Sequence, residues 1–214
     1  MDSIDLIDQV AEKPDYGDAI KSDLDHLIGQ SRVKLNQAEA SSKVARVNLL
    51  YSFNVAKAAP LLCAAAHLAG DNFWYWINCG RAQVKLEQLS QAQKAFETAK
   101  SVAKNEKPQG RDYSAALNDL GNVHMAQGDM PAALIAYEEG LEIARTLSQQ
   151  DPRNAEWQRY LAVSHWKMTR VDVENAQSHW AGVVEIFSDM QARGVLLPGD
   201  EQYLNFARDQ LGAD

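Results

Sequence analysis

The sequence lacks several features that define common functional classes. Its 21 lysine and arginine residues are outnumbered by 29 aspartate and glutamate residues, which gives a formal net charge of -8 at pH 7. Non-specific binding to nucleic acid needs a positive field that releases counterions from phosphates, so we expect no nucleic-acid partner. A membrane span needs roughly 18 uninterrupted apolar residues. The best candidate, APLLCAAAHLAG, is too short, so we expect no membrane association.

Targeting and cysteine signals are also weak. The first ten residues, MDSIDLIDQV, are acidic and have no basic segment before a long apolar run, unlike a secretory signal or a transit peptide. We therefore expect a soluble, cytoplasmic protein.

The two cysteines, Cys63 and Cys79, have no further Cys or His at a metal-binding spacing. We expect both to be reduced, small residues of the core.

The common catalytic motifs are missing as well. The sequence contains no G-x-x-x-x-G-K-[ST], G-x-G-x-x-G, H-E-x-x-H or G-x-S-x-G, so we predict a protein that is not an enzyme and uses no cofactor. One grouping leaves an alternative open. His165, Thr169 and Asp172 lie on one helical stripe, and His179 follows on the next predicted helix. The alternative is a metal-binding or hydrolytic protein centred on His165, Asp172 and His179.

Apolar residues recur at intervals of three and four, and alternating runs are absent, so helices are the only regular structure predicted. Clusters of glycine and proline separate the helices. The predicted helices span residues 3–12, 18–38, 42–55, 57–69, 73–88, 90–105, 111–127, 131–149, 156–175, 177–193 and 200–211. Because the connections are short, consecutive helices should be antiparallel. The predicted fold class is therefore all-α, a row of helical hairpins.

Two of these hairpins share a motif at a spacing of 41 residues. Residues 73–105 contain W-x2-C-G from position 76 and A-x3-F-x2-A from position 92. Residues 111–150 contain L-x2-L-G-x2-H from position 117 and A-x3-Y-x2-G from position 133. A glycine costs about 1 kcal/mol relative to alanine within a helix, and small residues permit close helix packing. We therefore expect the two helices of each hairpin to approach closely at Gly80, Ala92, Gly121 and Ala133.

This pattern resembles the tetratricopeptide repeat, whose motif is W-x2-L-G-x2-Y, then A-x3-F, then P. The match is best over residues 73–152, and DPRNAEWQRYLAVS at 151–164 is similar to a long-period bacterial variant. The resemblance implies antiparallel hairpins stacked as a right-handed solenoid with a C-terminal capping helix. Residues 1–40 carry no clear repeat. Repeats are expected over 41–198, as 42–70 (degenerate), 73–105, 111–150 and 156–193 (degenerate), followed by a cap over 199–214.

The resemblance also implies a function. In this family a concave groove lined by the first helix of each hairpin receives a peptide or a partner's helix, as in adaptors, assembly factors and chaperones. Asparagine, lysine and arginine in such a groove can hold a carboxylate, so an acidic or carboxyl-terminal peptide is one expectation. A solvated face of mixed polar residues is the other. Alignment places these residues in the groove: Asn48, Tyr51, Asn78, Arg81, Lys85, Asn118, Asn122, Met125, Lys167, Arg170 and Glu174.

Aromatic residues offer a second class of candidate contacts. Trp74 or Tyr75 could be exposed and anchor a partner, as could Trp166 and Trp180, or these side chains could serve packing alone. The helix at 200–211 is expected to cover the end of the stack, and an uncapped end would allow a homodimer.

Two other segments have weaker patterns. Glu138, Glu139 and Glu142 lie on a second helix and are expected to be solvated. The region before the repeats is predicted to contain an amphipathic helix whose apolar side is formed by Ile20, Leu24, Leu27, Ile28 and Leu35.

Overall fold

The fold is all-α in the part of the chain that the computed structural model describes. It describes the backbone of residues 18–50, 54–104 and 110–212, and the side chains of 25–43, 54–104 and 110–212. The helices are α1 (Asp18–Leu50), α2 (Val55–Leu68), α3 (Phe73–Lys85), α4 (Leu89–Lys104), α5 (Arg111–Gln127), α6 (Met130–Gln150), α7 (Ala155–Met168), α8 (Ala176–Ala192) and α9 (Glu201–Leu211), with a single 3-10 turn at Pro198–Asp200. Among the described helices, none combines the length and apolar character that a membrane crossing requires.

Most helix ends agree with the prediction to within about three residues, and the exceptions belong to two regions of the chain. The helices predicted at 18–38 and 42–55 are one helix, α1, which contains no proline. Within it, the Ser41 hydroxyl donates to the Gln37 carbonyl, 2.8 Å away. The helix predicted at 156–175 ends at Met168. Beyond it, Asp172 accepts bonds from Asn175 and forms a turn. The helix predicted at 3–12 lies outside the described residues.

The chain divides into two compact units, Met1–Ala82 and Gln83–Asp214. In the first unit, Ala40 of α1 is fully buried and packs with Ala65 and Ala69, at the C-terminal end of α2. Leu27 and Leu35, which were predicted to form an apolar face, are exposed. Ile28 is half-buried, and the side chains of Ile20 and Leu24 lie outside the described residues, so the amphipathic interpretation stays a prediction.

A disulfide bond joins Cys63 of α2 to Cys79 of α3, with Cα atoms 4.7 Å apart. The prediction of two reduced cysteines is therefore wrong. The short connection from α2 to α3 folds the chain back, so two positions separated by 16 residues face each other. In the same hairpin, the Trp76 indole nitrogen donates to the Gly70 carbonyl over 2.8 Å, and its ring packs edge-on against His67.

In the second unit, small residues mark the close contacts within hairpins. A Cβ atom added to Gly121 of α5 would overlap the ring of Tyr137 of α6, and one added to Gly182 of α8 would lie 3.1 Å from the ring of His165. Ala133 is fully buried beside Tyr137. Gly80 and Ala92 are also buried, within their own units. All four positions proposed from the sequence as close contacts are therefore buried.

One of the three glutamates expected to be solvated, Glu139, is half-buried and hydrogen-bonded, with 40% of its side chain exposed. Glu139 accepts a hydrogen bond from the Tyr113 hydroxyl over 2.5 Å and from Lys100 over 2.9 Å. Burial raises its pKa, but these bonds outweigh burial and leave the pKa of Glu139 below its ordinary value. Glu138 and Glu142 are exposed, as expected. The difference arises because α4 and α5 each direct a donor at Glu139.

The C-terminal helix α9 caps the second unit. Leu204 and Ala207 are fully buried and join a cluster with Ala162, Val183, Phe187 and Met190. The turn before α9 is fixed by Asp200, which is only 1% exposed and accepts hydrogen bonds from Nε and Nη2 of Arg159. The prediction of a capping helix is confirmed, although two of its large side chains remain exposed, as described below.

Candidate functional site

The second unit contains a pocket of about 290 Å³ between helices α5, α7, α8 and α9. Its polar residues come from the repeat helices and the turn after α7, and its apolar residues come from α7, α8 and the cap. None of the described residues that line it is acidic. They are Asn122, Arg159, Val163, Trp166, Lys167, Arg170, Phe187 and Tyr203.

Asn122 is oriented by two donors at the wall of this pocket. Its Oδ1 accepts a 2.7 Å hydrogen bond from the Tyr137 hydroxyl and a 3.3 Å hydrogen bond from Nζ of Lys167. Because both donors use the oxygen, the amide nitrogen is turned away from them and can donate to a ligand. The Lys167 ammonium also lies 5.4 Å from the centroid of the Tyr137 ring, within cation–π range.

Tyr137 supports this cluster from the core. It is 2% exposed, and burial raises its pKa to about 12, although Arg170 opposes the shift. The phenol therefore stays protonated at neutral pH and donates to Asn122. The Tyr137 hydroxyl also lies 3.4 Å from the Met125 sulfur. The ring that fills the space beside Gly121 thus also fixes a pocket side chain.

The cations of the pocket differ in their surroundings. Arg159 forms a bidentate pair with Asp200, and this hydrogen bonding raises the pKa of its guanidinium. Arg159 therefore attaches the turn before the cap and also lines the pocket. Lys167 and Arg170 add two further positive charges, and Arg170 is exposed. The pocket is therefore locally basic within an acidic chain.

The structure brings only part of the predicted groove together. Asn122, Lys167 and Arg170 line one pocket, and Met125 touches the tyrosine behind it. Asn118 and Glu174 lie on the same unit but do not line it. Lys85, at the end of α3, is exposed.

The remaining predicted groove residues belong to the first unit. Asn78 is half-buried and Arg81 is exposed. Tyr51 and the side chain of Asn48 lie outside the described residues. The assignment of the eleven residues to one concave surface therefore stays a prediction.

Several pocket residues were missed by sequence reasoning. The sequence pattern places Arg159 and Val163 only within the 151–164 motif and Tyr203 only within the predicted capping helix. Phe187 has no distinguishing signal beyond apolar spacing. These residues come together in the pocket through contacts between distant parts of the sequence. One example is the hydrogen bond from Arg159 to Asp200, which lies 41 residues away.

Of the predicted aromatic contacts, one group is continuous with the pocket. Trp166 packs against Trp180, Tyr203 and Phe206 with ring centroids 4.8, 4.9 and 5.3 Å away. Trp180 and Phe206 are also in contact, at 5.7 Å. We name these four side chains the aromatic shelf.

The other predicted aromatic contacts lie in the first unit. Trp74 is exposed and packs edge-on against Phe73. Tyr75 is half-buried, with its hydroxyl 3.2 Å from that of Ser41. Neither of them lines the pocket of the second unit.

The residues of the alternative hypothesis are close together but form a hydrogen-bonded chain. Nδ1 of His165 lies 3.1 Å from Nδ1 of His179, whose Nε2 lies 3.2 Å from Oδ2 of Asp172. Thr169 bonds the Trp166 carbonyl instead. Burial, with the charge of His179 as a smaller cause, lowers the pKa of His165 to about 4.

Both nitrogens of His179 are used within this chain, so the three side chains do not point at a common centre. Among the described residues, no three His, Cys, Asp or Glu side chains are placed to hold a metal ion. The arrangement fits a polar contact that joins α7 to α8 and does not favour the alternative.

Comparison with known proteins agrees with the repeat pattern. Residues 114–147, which cover most of α5 and α6, match the family model described as tetratricopeptide repeat. No curated protein matches the sequence. The solved structure titled MamA RS-1 ArsTM double mutant is similar at 14% identity and a TM-score of 0.52, over 89% of this chain and 97% of that one. This similarity shows the fold alone.

Two other solved structures are more distant. YrrB, titled a TPR protein with an unusual peptide-binding site, has 16% identity and a TM-score of 0.46, over 84% of this chain and 90% of that one. BtubC (BKLC) from P. vanneervenii has 12% identity and a TM-score of 0.46, over 86% and 89%.

Proposed function

We propose that this chain, a protein of the tetratricopeptide repeat type, binds an acidic segment of another protein in the pocket of its second unit. The fold is that of a protein–protein interaction module. The observation that carries the proposal is the convergence of Asn122, Lys167 and Arg170 on one pocket that no described acidic residue lines.

The pocket chemistry suits a carboxylate. A carboxylate accepts several hydrogen bonds at once, and Arg170, Lys167 and the amide nitrogen of Asn122 supply donors of suitable type. Arg170 is exposed and Lys167 is half-buried, so each charged contact should contribute up to about 1 kcal/mol, and two such contacts are enough to discriminate a carboxylate from an amide. The chain has a net charge of -8, so an acidic partner is attracted only where positive side chains converge, as they do at this pocket.

The carboxylate can come from an aspartate or glutamate side chain or from the end of a partner chain. Both have the same chemistry, so the test must separate them. Short fluorescein-labelled peptide pools would be compared by fluorescence anisotropy. One pool fixes glutamate within an amidated peptide, a second replaces that glutamate by glutamine, and a third carries glutamine with a free terminal carboxylate.

The decisive variant is Lys167→Glu combined with Arg170→Glu. We expect the glutamate pool to bind about tenfold more tightly than the glutamine pool, which corresponds to about 1.4 kcal/mol, and the double variant to abolish the difference. Lys57→Glu combined with Lys94→Glu is the matched control, because both lysines are exposed and do not line the pocket. This control changes the net charge equally and should keep the preference.

Each outcome has a meaning. A preference of the third pool over the second, lost in the double variant, would identify a chain terminus as the source of the carboxylate. Equal binding of all pools, or no binding of any, would refute the proposal.

A further inference from the structure

The aromatic shelf exposes more apolar surface than capping requires. Tyr203 is 39% exposed and Phe206 is 47% exposed. The buried side of α9 is formed by Leu204 and Ala207, which are fully buried. The cap is therefore attached without complete burial of either aromatic ring, and a contiguous exposed apolar patch beside polar residues is typical of an interaction surface.

The shelf and the pocket share two side chains. Trp166 and Tyr203 line the pocket and also belong to the shelf, where their ring centroids are 4.9 Å apart. Lys167 follows Trp166 directly on α7. A ligand whose carboxylate lies in the pocket can therefore continue onto the shelf without a gap. An extended peptide advances about 3.3 Å per residue, so its next side chains would reach the rings.

We propose that the aromatic shelf is a second subsite, which binds a large apolar or aromatic side chain about two residues from the carboxylate of the same acidic segment. This inference rests on the proposed function and specifies its ligand. The ligand class is a segment in which an acidic residue is followed or preceded closely by a bulky apolar one. Trp166, which contacts the other three rings, forms the junction between the two subsites.

Charge favours this occupant over a second copy of the chain. In a two-fold symmetric dimer the same surface patch meets itself, so a patch that carries Lys167 and Arg170 would face an equally basic patch. Like charges that face each other are unfavourable. An acidic partner gains attraction from the same two cations.

The experiment combines changes in the protein and in the peptide. Two fluorescein-labelled, amidated peptide pools fix glutamate and, two residues away, either phenylalanine or serine. We expect the phenylalanine pool to bind wild-type protein about tenfold more tightly than the serine pool. Phe206→Ala should reduce this ratio to about twofold or less, whereas Phe206→Tyr, which keeps an aromatic ring, should retain it.

Ile135→Ala is the matched control, since Ile135 of α6 is 66% exposed and does not line the pocket. It should leave the ratio unchanged. Thermal unfolding of each variant verifies that the cap is folded, and the ratio between pools is independent of the fraction of active protein. Equal binding of the two pools to wild-type protein would overturn the shelf proposal.

The failures of the two proposals are distinguishable. If binding requires Lys167 and Arg170 but ignores the phenylalanine, the carboxylate pocket stands and the shelf proposal is wrong. If neither pool binds, both are wrong. Light scattering that shows a dimer of wild-type protein and a monomer of Phe206→Ala would assign the shelf to self-association and overturn the proposal.

Discussion

Gly121 lies directly against the ring of Tyr137, so closely that no side chain fits between α5 and α6 at this point. The hydroxyl of the same tyrosine donates to Asn122, the residue next to the glycine. A repeat position needed for packing is thereby coupled to a side chain of the pocket.

Substitution of Gly121 by alanine should destabilise the protein. The added methyl group would overlap a buried ring that is held by hydrogen bonding, and overpacking of this kind costs about 1–3 kcal/mol. Urea denaturation followed by circular dichroism measures the change. Gly140→Ala is the matched control in the same hairpin, because its Cβ would lie 3.8 Å from Leu117 Cβ, an ordinary contact. A Gly121→Ala protein as stable as Gly140→Ala would contradict this account.

The Arg159–Asp200 pair should respond asymmetrically to truncation. Arg159→Ala leaves the nearly fully buried Asp200 carboxylate without its guanidinium partner, and we expect a loss of about 3 kcal/mol. Asp200→Ala leaves a guanidinium whose side chain is 43% exposed and can be solvated, so the loss should be smaller. Chemical denaturation of the two variants at pH 7 compares them. Equal losses would show that the buried carboxylate is not the costly partner.

Stability should fall as the pH drops from about 6.5 to about 4, in part because of His165. Burial, together with the charges of His179 and Arg145, lowers its pKa to about 4 in the folded state. In that pH range the unfolded chain binds a proton that the folded chain does not, so acid favours unfolding. The contribution is on the order of 2 kcal/mol.

His165→Gln should flatten this part of the pH profile, measured as the urea midpoint between pH 4 and pH 7. His26→Gln, at an exposed position of α1, is the control and should keep the slope of the original profile. If both variants follow the wild-type profile, His165 is not the group that titrates.

The disulfide should be detectable and stabilising. Alkylation of the denatured protein, followed by mass spectrometry, should label neither Cys63 nor Cys79 before reduction and both afterwards. The bond closes a loop of 16 residues, so its removal by Cys63→Ala with Cys79→Ala should cost about 3 kcal/mol. Labelling of both thiols without reductant would refute the pairing.

The repeat framework could be predicted from the sequence because it depends on local spacing. Positions of glycine and alanine in the two hairpins, together with turn signals such as the αL glycine Gly128 at the end of α5, identify which helices must meet. The continuous helix α1 was missed because the sequence near Ser41 contains neither a helix breaker nor a strong continuation signal. The helix propensities of the residues around Ser41 do not decide whether one helix or two form there.

The pocket was only partly predictable for a different reason. Asn122, Lys167 and Arg170 follow from repeat alignment, whereas Tyr203 reaches the pocket because α9 is held in place by Leu204, Ala207 and the Arg159–Asp200 pair. The disulfide likewise depends on which faces of α2 and α3 meet. Contacts between such distant residues depend on how the helices pack, and the spacing of apolar residues along the sequence does not reveal them.

The proposed charged contacts lie on α7 and the turn after it, two of the aromatic contacts lie on α9, and this separation has an evolutionary consequence. The proposed charge contacts belong to the last repeat and the turn after it, whereas Tyr203 and Phe206 belong to an 11-residue helix at the end of the unit. If both proposed subsites exist, replacing that helix alone would change which apolar side chain is preferred and keep Lys167 and Arg170 in place. A change of preferred partner would then require substitutions in a single terminal helix, and the stacked hairpins would stay the same.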